Sequence, residues 1–227
     1  MKLSGTATKI LAIASILILP SIAYLLISRG ENDYERLLIY GPKDPAPNGV
    51  DTVYHKIAPF ILTDHYGAAF SSKNLDDKIF VAEFFFATCK TICPKMTMQM
   101  KRVQEAYADD SEISLVSYTV NPAADSVPVL AAYAQKHGAR KNKWFFLTGD
   151  KKVIYDLART SYLVAAGDGD GSEHDFIHTQ NLVLIDKEMR IRGYYDGTDY
   201  QEVNRLIDEI KVLKWEYAKA NGRKSVW

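Results

Sequence analysis

Both cysteines of this 227-residue chain fall inside one five-residue window, at the exit of an apolar run. Residues 79–86 read IFVAEFFF, an aromatic and β-branched stretch of the length a buried strand takes. Thr88 through Pro94 then form a loop, Thr88-Cys89-Lys90-Thr91-Ile92-Cys93-Pro94. Pro94 suits the first turn of a helix that continues over 94–108. A buried strand, a cysteine loop and a helix in that order confine the chain to a sheet with helical crossovers. Two cysteines also exclude a disulfide scaffold and a four-cysteine zinc site. Placed at a helix N-terminus beside Lys90, the thiols have lowered pKa values, and a thiolate is both nucleophile and metal ligand. The pair is therefore a redox couple or a ligand set. Two cysteines that merely pack is the blander alternative, and the turn residues around so close a pair argue against it.

The rest of the chain alternates. Strands are expected over 58–63, 113–120 and 144–148, with a turn at His65-Tyr66-Gly67. Helices are expected over 125–137, closed by Gly138, and over 150–160. NLVLID at 181–186 and the run 191–195 read as a hairpin, and 199–220 as a long final helix. Strand–helix alternation predicts α/β with a largely parallel sheet. The cysteine loop then sits at the C-terminal end of a core strand, where open α/β sheets place their sites.

The N-terminus is built differently. Residues 10–27, ILAIASILILPSIAYLLI, carry no charge, and Lys2 and Lys9 precede them. The run is at the lower end of what spans a bilayer, and the basic residues before it favour N-terminus in. A cleaved signal peptide has a shorter apolar core and an A-x-A ending, whereas this run ends in Tyr24-Leu25-Leu26-Ile27. No cysteine stands at a lipobox position. The expected organisation is residues 1–9 in the cytoplasm, a transmembrane anchor over 10–28, a Pro/Gly-rich linker over 29–50, a folded domain over 51–220 and a tail over 221–227. The nine residues before the run lack arginine, unlike a mitochondrial transit peptide, which predicts a bacterial inner membrane with the domain facing the periplasm. Lys+Arg and Asp+Glu each number 28, so the formal net charge is zero and nucleic acid is not an expected partner.

Spacing sharpens the cysteine motif. Thiol reductases use C-x2-C; the extra residue of C-x3-C lets two sulfurs converge on an ion, and soft thiolates suit Cu(I). A third ligand is then expected elsewhere. His55, His65 and His137 read as surface or capping residues. His174 and His178 lie in Glu173-His174-Asp175-Phe176-Ile177-His178-Thr179, directly before the strand at 181–186. That strand's start faces the cysteine loop in a thioredoxin fold, where a disulfide reductase carries a proline. This chain has no proline after Pro128, and His178 is the better ligand candidate of the two. Glu83 interrupts the 79–86 strand six residues before Cys89. It is either a buried acid with a raised pKa, serving the second cysteine as proton acceptor, or a strand-face residue paired with a lysine. The acidic run Asp168-Gly169-Asp170-Gly171-Ser172-Glu173 lacks the glutamate an EF-hand needs, since its twelfth position is Thr179.

These residues together resemble the Sco/SenC family of copper-binding thioredoxin-like proteins. The match runs through Phe84-Phe85-Phe86-Ala87-Thr88-Cys89-Lys90-Thr91-Ile92-Cys93-Pro94, Thr119-Val120-Asn121-Pro122 with Asp125-Ser126-Val127-Pro128, Trp144–Gly149, and Asp175-Phe176-Ile177-His178-Thr179. It covers roughly residues 55–212. The resemblance implies a thioredoxin-like α/β domain that holds copper, as Cu(I) or Cu(II), through Cys89, Cys93 and His178. It implies a role in maturing the copper A centre of cytochrome c oxidase subunit II, together with copper donor and thiol reductant proteins. The role is that of copper donor, thiol reductant through a Cys89–Cys93 disulfide, or both, so enzyme activity stays open. Two departures from the family pattern stand out. Asn121 replaces an aspartate, and Asp175 lies two positions away from where an acid usually precedes the histidine. Asp175 is then the candidate to orient the imidazole.

Overall fold

The computed structural model describes residues 18–22, 36–47, 49–164, 179–220 and 222. Two units divide at Glu35 and Arg36. Of the expected anchor over 10–28, only 18–22 are described; they are helical and exposed. Among the described residues no helix is long and apolar enough to cross a membrane. His174, Asp175 and His178 lie outside the described residues.

In the second unit, β1 (Lys43–Pro45) and β2 (Thr52–Tyr54) form a separate two-stranded hairpin. Among the described residues seven strands make the main sheet: β3 (Ile61–Asp64), β4 (Ala69–Ser71), β5 (Ile79–Phe85), β6 (Ile113–Thr119), β7 (Trp144–Thr148), β8 (Asn181–Ile185) and β9 (Ile191–Asp196). Their order is β4-β3-β7-β6-β5-β8-β9. The helices are α1 (Cys93–Ala106), α2 (Val127–His137), α3 (Lys151–Asp156) and α4 (Tyr200–Ala220).

The sheet is less parallel than strand–helix alternation predicts. Only β5, β6 and β7 run parallel; β3–β4, β3–β7, β5–β8 and β8–β9 are antiparallel. For β3–β4 and β8–β9 the reason is the connections: short turns join them, and a short turn permits only antiparallel pairing.

Both faces of β5 are covered, which is why it reads as an unbroken apolar run. Ile79, Val81 and Phe85 pack with Met96, Met100, Val103, Leu130, Leu206 and Ile210 of α1, α2 and α4. Phe80, Ala82 and Phe84 pack on the other side with Leu62, Ile154, Leu157 and Tyr162. Glu83 belongs by alternation to the first face, the one that holds Cys93.

Several boundaries differ from expectation. Helix α2 starts at Val127 after an N-cap at Ser126, so Asp125 is not part of it; Gly138 closes it at φ +72°. The helix expected through 160 turns into a π-helical segment, Leu157–Ser161, in which the Tyr162 N–H reaches the Leu157 carbonyl at 2.8 Å. That wider turn delivers Tyr162 to the core, where its hydroxyl meets that of Tyr118 at 2.7 Å. Part of the segment read as a tether is folded onto the domain. The Tyr40 N–H bonds the Ile191 carbonyl, the Leu37 N–H bonds Glu216, and Arg192 donates to the carbonyls of Leu37 and Leu38. Turn residues there serve the β1–β2 hairpin, with Gly49 at φ +67°. His65 is buried rather than superficial: its Nδ1 accepts the Phe146 N–H at 3.2 Å.

Candidate thiol and metal site

The β5–β6 ladder pairs Phe85 with Thr119 and ends when the Val120 N–H bonds the Phe85 carbonyl. Beyond it the chain folds through a turn in which the Cys89 N–H bonds the Phe86 carbonyl at 3.2 Å, and α1 begins at Cys93. The first N–H groups of a helix have no partner within it. Here the Cys89 sulfur takes one, accepting from the Cys93 N–H at 3.5 Å. It also lies 3.6 Å from the Thr91 hydroxyl.

The two thiols are unequal as a result. Both are free; Cys89 is half-exposed and Cys93 buried. Partial burial works against the Cys89 thiolate. Hydrogen bonds from the Cys93 thiol, the N–H groups of Cys93 and Thr91 and the Thr91 hydroxyl outweigh it and bring Cys89 down to about 7. Burial pushes Cys93 up to about 12, helped by the neighbouring Cys89 and Glu83 charges. The expectation of two lowered thiols thus holds for Cys89 alone. Cys93 sits inside the apolar layer of α1, where desolvation overrides the helix dipole.

Glu83 is fully buried behind this pair. Burial raises its carboxyl to about 7, partly offset by a hydrogen bond from the Ser117 hydroxyl at 2.6 Å. Ser117 in turn accepts the Trp144 indole N–H at 2.8 Å. The second carboxyl oxygen, Oε2, has no hydrogen-bond partner among the described residues. Of the two sequence readings, the buried acid is the one observed; its partner is a serine, not a lysine.

Two groups near the cysteines escaped sequence reasoning. Tyr133 of α2 places its hydroxyl 2.8 Å from that of Thr97, which donates to the Cys93 carbonyl. Asp125 accepts the Ala87 N–H at 3.0 Å and the Thr119 hydroxyl at 2.5 Å, both on Oδ2. The carboxylate expected to open a helix faces inward instead. The usable signal was Ser126, an equally good N-cap residue type one position on, although its side chain makes no capping bond.

As a donor set, Cys89 and Cys93 fit a soft, thiophilic ion. Among the described residues no group of three or more His, Cys, Asp or Glu could hold a metal, so the described part supplies two sulfurs. The β8 strand runs antiparallel to β5, with Ile185 opposite Phe80. Its first residue, Asn181, therefore lies at the sheet end that carries the cysteine loop.

The family model described as SCO1/SenC matches residues 50–214. The chain belongs to the SCO1/SenC family. It is 28% identical to a SCO1/SenC family lipoprotein from Bacillus anthracis str. Ames, with a TM-score of 0.63, covering 70% of this chain and 95% of that one. It shares the mixed α/β, thioredoxin-like fold of that protein. BsSco, described as having a disulfide switch and as a member of the Sco family of cytochrome c oxidase assembly proteins, is 24% identical with a TM-score of 0.59, covering 69% and 92%. ScoI of Bradyrhizobium japonicum, solved with copper bound, is 24% identical with a TM-score of 0.55, covering 67% and 97%. At that identity the last two speak for the fold alone.

Proposed function

We propose that this chain is a membrane-anchored copper metallochaperone. It takes up copper through Cys89, Cys93 and His178 and delivers it to the copper A centre of cytochrome c oxidase subunit II. The observation that carries the reading is the thiol pair itself: a half-exposed Cys89 with a lowered pKa, its sulfur bonded to the N–H of a buried Cys93. Family membership supports it, since the family includes a ScoI solved with copper bound and BsSco, described as a cytochrome c oxidase assembly protein. Copper is cargo here, held by two thiolates that both lose protons on binding. His178 would add an imidazole, which Cu(II) favours more than Cu(I). Asp175 would orient that ring. Residues 10–28 would hold the domain on the periplasmic face of a bacterial inner membrane, a location the lipoprotein relative supports.

The inequality of the thiols favours a second activity at the same site, reduction of client cysteines. The Cys89 thiolate attacks a client disulfide, forming a mixed disulfide and releasing one client thiolate. Cys93, its proton passing to Glu83, then displaces the second client thiolate and closes a Cys89–Cys93 disulfide, so the client gains the two electrons that the pair gives up.

Metal analysis of the reduced full chain tests the first reading. One copper per chain is expected, abolished by Cys89→Ser or Cys93→Ser; wild-type stoichiometry and affinity in both variants would sink it. His178→Ala should weaken Cu(II) on the order of a hundredfold and Cu(I) far less. Normal oxidase assembly in His178→Ala, with failure in Cys89→Ser, would transfer the role to thiol reduction.

A further inference from the structure

We propose that Asp125 is a positioning residue for the cysteine pair, its side chain acting as one more rung of the β5–β6 ladder. The inference rests on reading that pair as the functional site, and not on copper. At Val120 the backbone pairing stops, because β6 leaves through Asn121 and Pro122. The next N–H along β5 that points toward β6 is that of Ala87, two residues before Cys89. It needs an acceptor, and the departing strand offers none.

Asp125 provides it. Its Oδ2 accepts the Ala87 N–H at 3.0 Å, and the Thr119 hydroxyl steers the same oxygen at 2.5 Å. Thr119 Oγ1 is held by the Asn121 N–H at 3.0 Å. The Asp125 N–H bonds back to the Asn121 carbonyl at 2.9 Å, so the carboxylate sits on a tight turn rather than on a loose arm. Asp125 is fully buried; among the described residues it meets no cation and its other oxygen, Oδ1, has no partner. A stability device would be expected to use both oxygens. This carboxylate uses one, and aims it at the root of the cysteine loop. With Cys93 fixed by α1 and Ala87 fixed by Asp125, Cys89 has only the short span between two anchors in which to move.

The test is the thiol–disulfide equilibrium of the full chain against glutathione, without metal. Cys89 and Cys93 give up two protons and two electrons to form one S–S bond, and one glutathione disulfide yields two thiols. Asp125→Ala should lower the equilibrium constant by about tenfold or more, since the sulfurs lose their mutual placement. Asp125→Asn keeps an oxygen for Ala87 and Thr119 and should stay within about threefold of wild type. Asp186→Asn, a buried substitution at the other end of the sheet, should leave the constant unmoved while lowering the urea midpoint. An Asp125→Ala constant within threefold of wild type overturns the proposal, as does an Asn variant that falls as far as Ala, or an Asp186→Asn effect of equal size. If Asp125→Ala does not fold, Thr119→Val carries the test, with a drop supporting the proposal and an unchanged constant ending it. Failure of wild type to take up copper would defeat the metallochaperone reading and leave this equilibrium measurable.

Discussion

Two aspartates, each fully buried, close opposite ends of the same sheet and are treated in opposite ways. Asp186 follows β8 at the end away from the cysteines. Its Oδ1 accepts the N–H groups of Glu188 and Arg190; its Oδ2 meets the guanidinium groups of Arg190 at 2.8 Å and Arg192 at 3.2 Å. Arg192 goes on to Glu216 at 2.7 Å and to the carbonyls of Leu37 and Leu38. Every lone pair there is spoken for. At the cysteine end, Asp125 and Glu83 each keep one buried oxygen without a partner among the described residues, and neither meets a cation among them. Unsatisfied buried acceptors are rare in folded proteins and cost on the order of 1–3 kcal/mol each. One end of the molecule is built to stay closed; the other retains electrostatic strain beside two thiols.

The contrast breaks most visibly if function and stability prove inseparable. Cys93→Ser should abolish tight copper binding while costing no more than about 1–2 kcal/mol of stability, as read by metal analysis and urea unfolding. Arg192→Met should do the reverse. It leaves Glu216 without its cation and Asp186 with Arg190 alone, and should cost about 3–5 kcal/mol, with copper stoichiometry in the folded fraction unchanged. A loss under about 1 kcal/mol would show that the network is ornamental.

Glu83 sharpens the contrast through pH. Its folded pKa, about 7, lies above the ordinary 4.5. The folded state therefore binds more protons than the unfolded one between those values. The protonated acid's contribution is fully present below pH 4.5 and is lost as pH rises through 7. Glu83→Gln should accordingly match wild type near pH 4 and exceed it near pH 8, by on the order of 3 kcal/mol at most. Equal urea midpoints at pH 8 would mean that the carboxylate is relieved in some other way. The smallest effect belongs to Lys101→Ala, on the same helix as Cys93. Its pair with Glu105, 3.8 Å apart and solvent-exposed, should contribute about 0.3–0.5 kcal/mol.

What the sequence made legible follows the same division. Long apolar runs with one pattern, at 79–86, 113–120 and 144–148, appear as β5, β6 and β7 within a residue or two. The cysteine loop and α1 fall where Pro94 puts them. The strand Ala69–Ser71 is only three residues long and carries no period to read. Residues 36–40 looked like linker because their partners, Ile191, Arg192 and Glu216, are some 150 positions or more away in the chain. Asp125 was hidden by its own residue type: an aspartate before a helix reads as a cap, and only the fold turns it toward Ala87. Glu83 was ambiguous because alternation tells which face a side chain takes but not what waits there.

The chain from Trp144 through Ser117 to Glu83 has an optical consequence. A buried indole whose N–H is bonded, through one hydroxyl, to a carboxyl that ionises near pH 7 feels the field of that charge when it appears. Its emission colour and yield then register the protonation of the acid behind Cys93. With Trp215 and Trp227 replaced by phenylalanine, Trp144 would be the sole indole, and a fluorimeter would follow the proton there without a label.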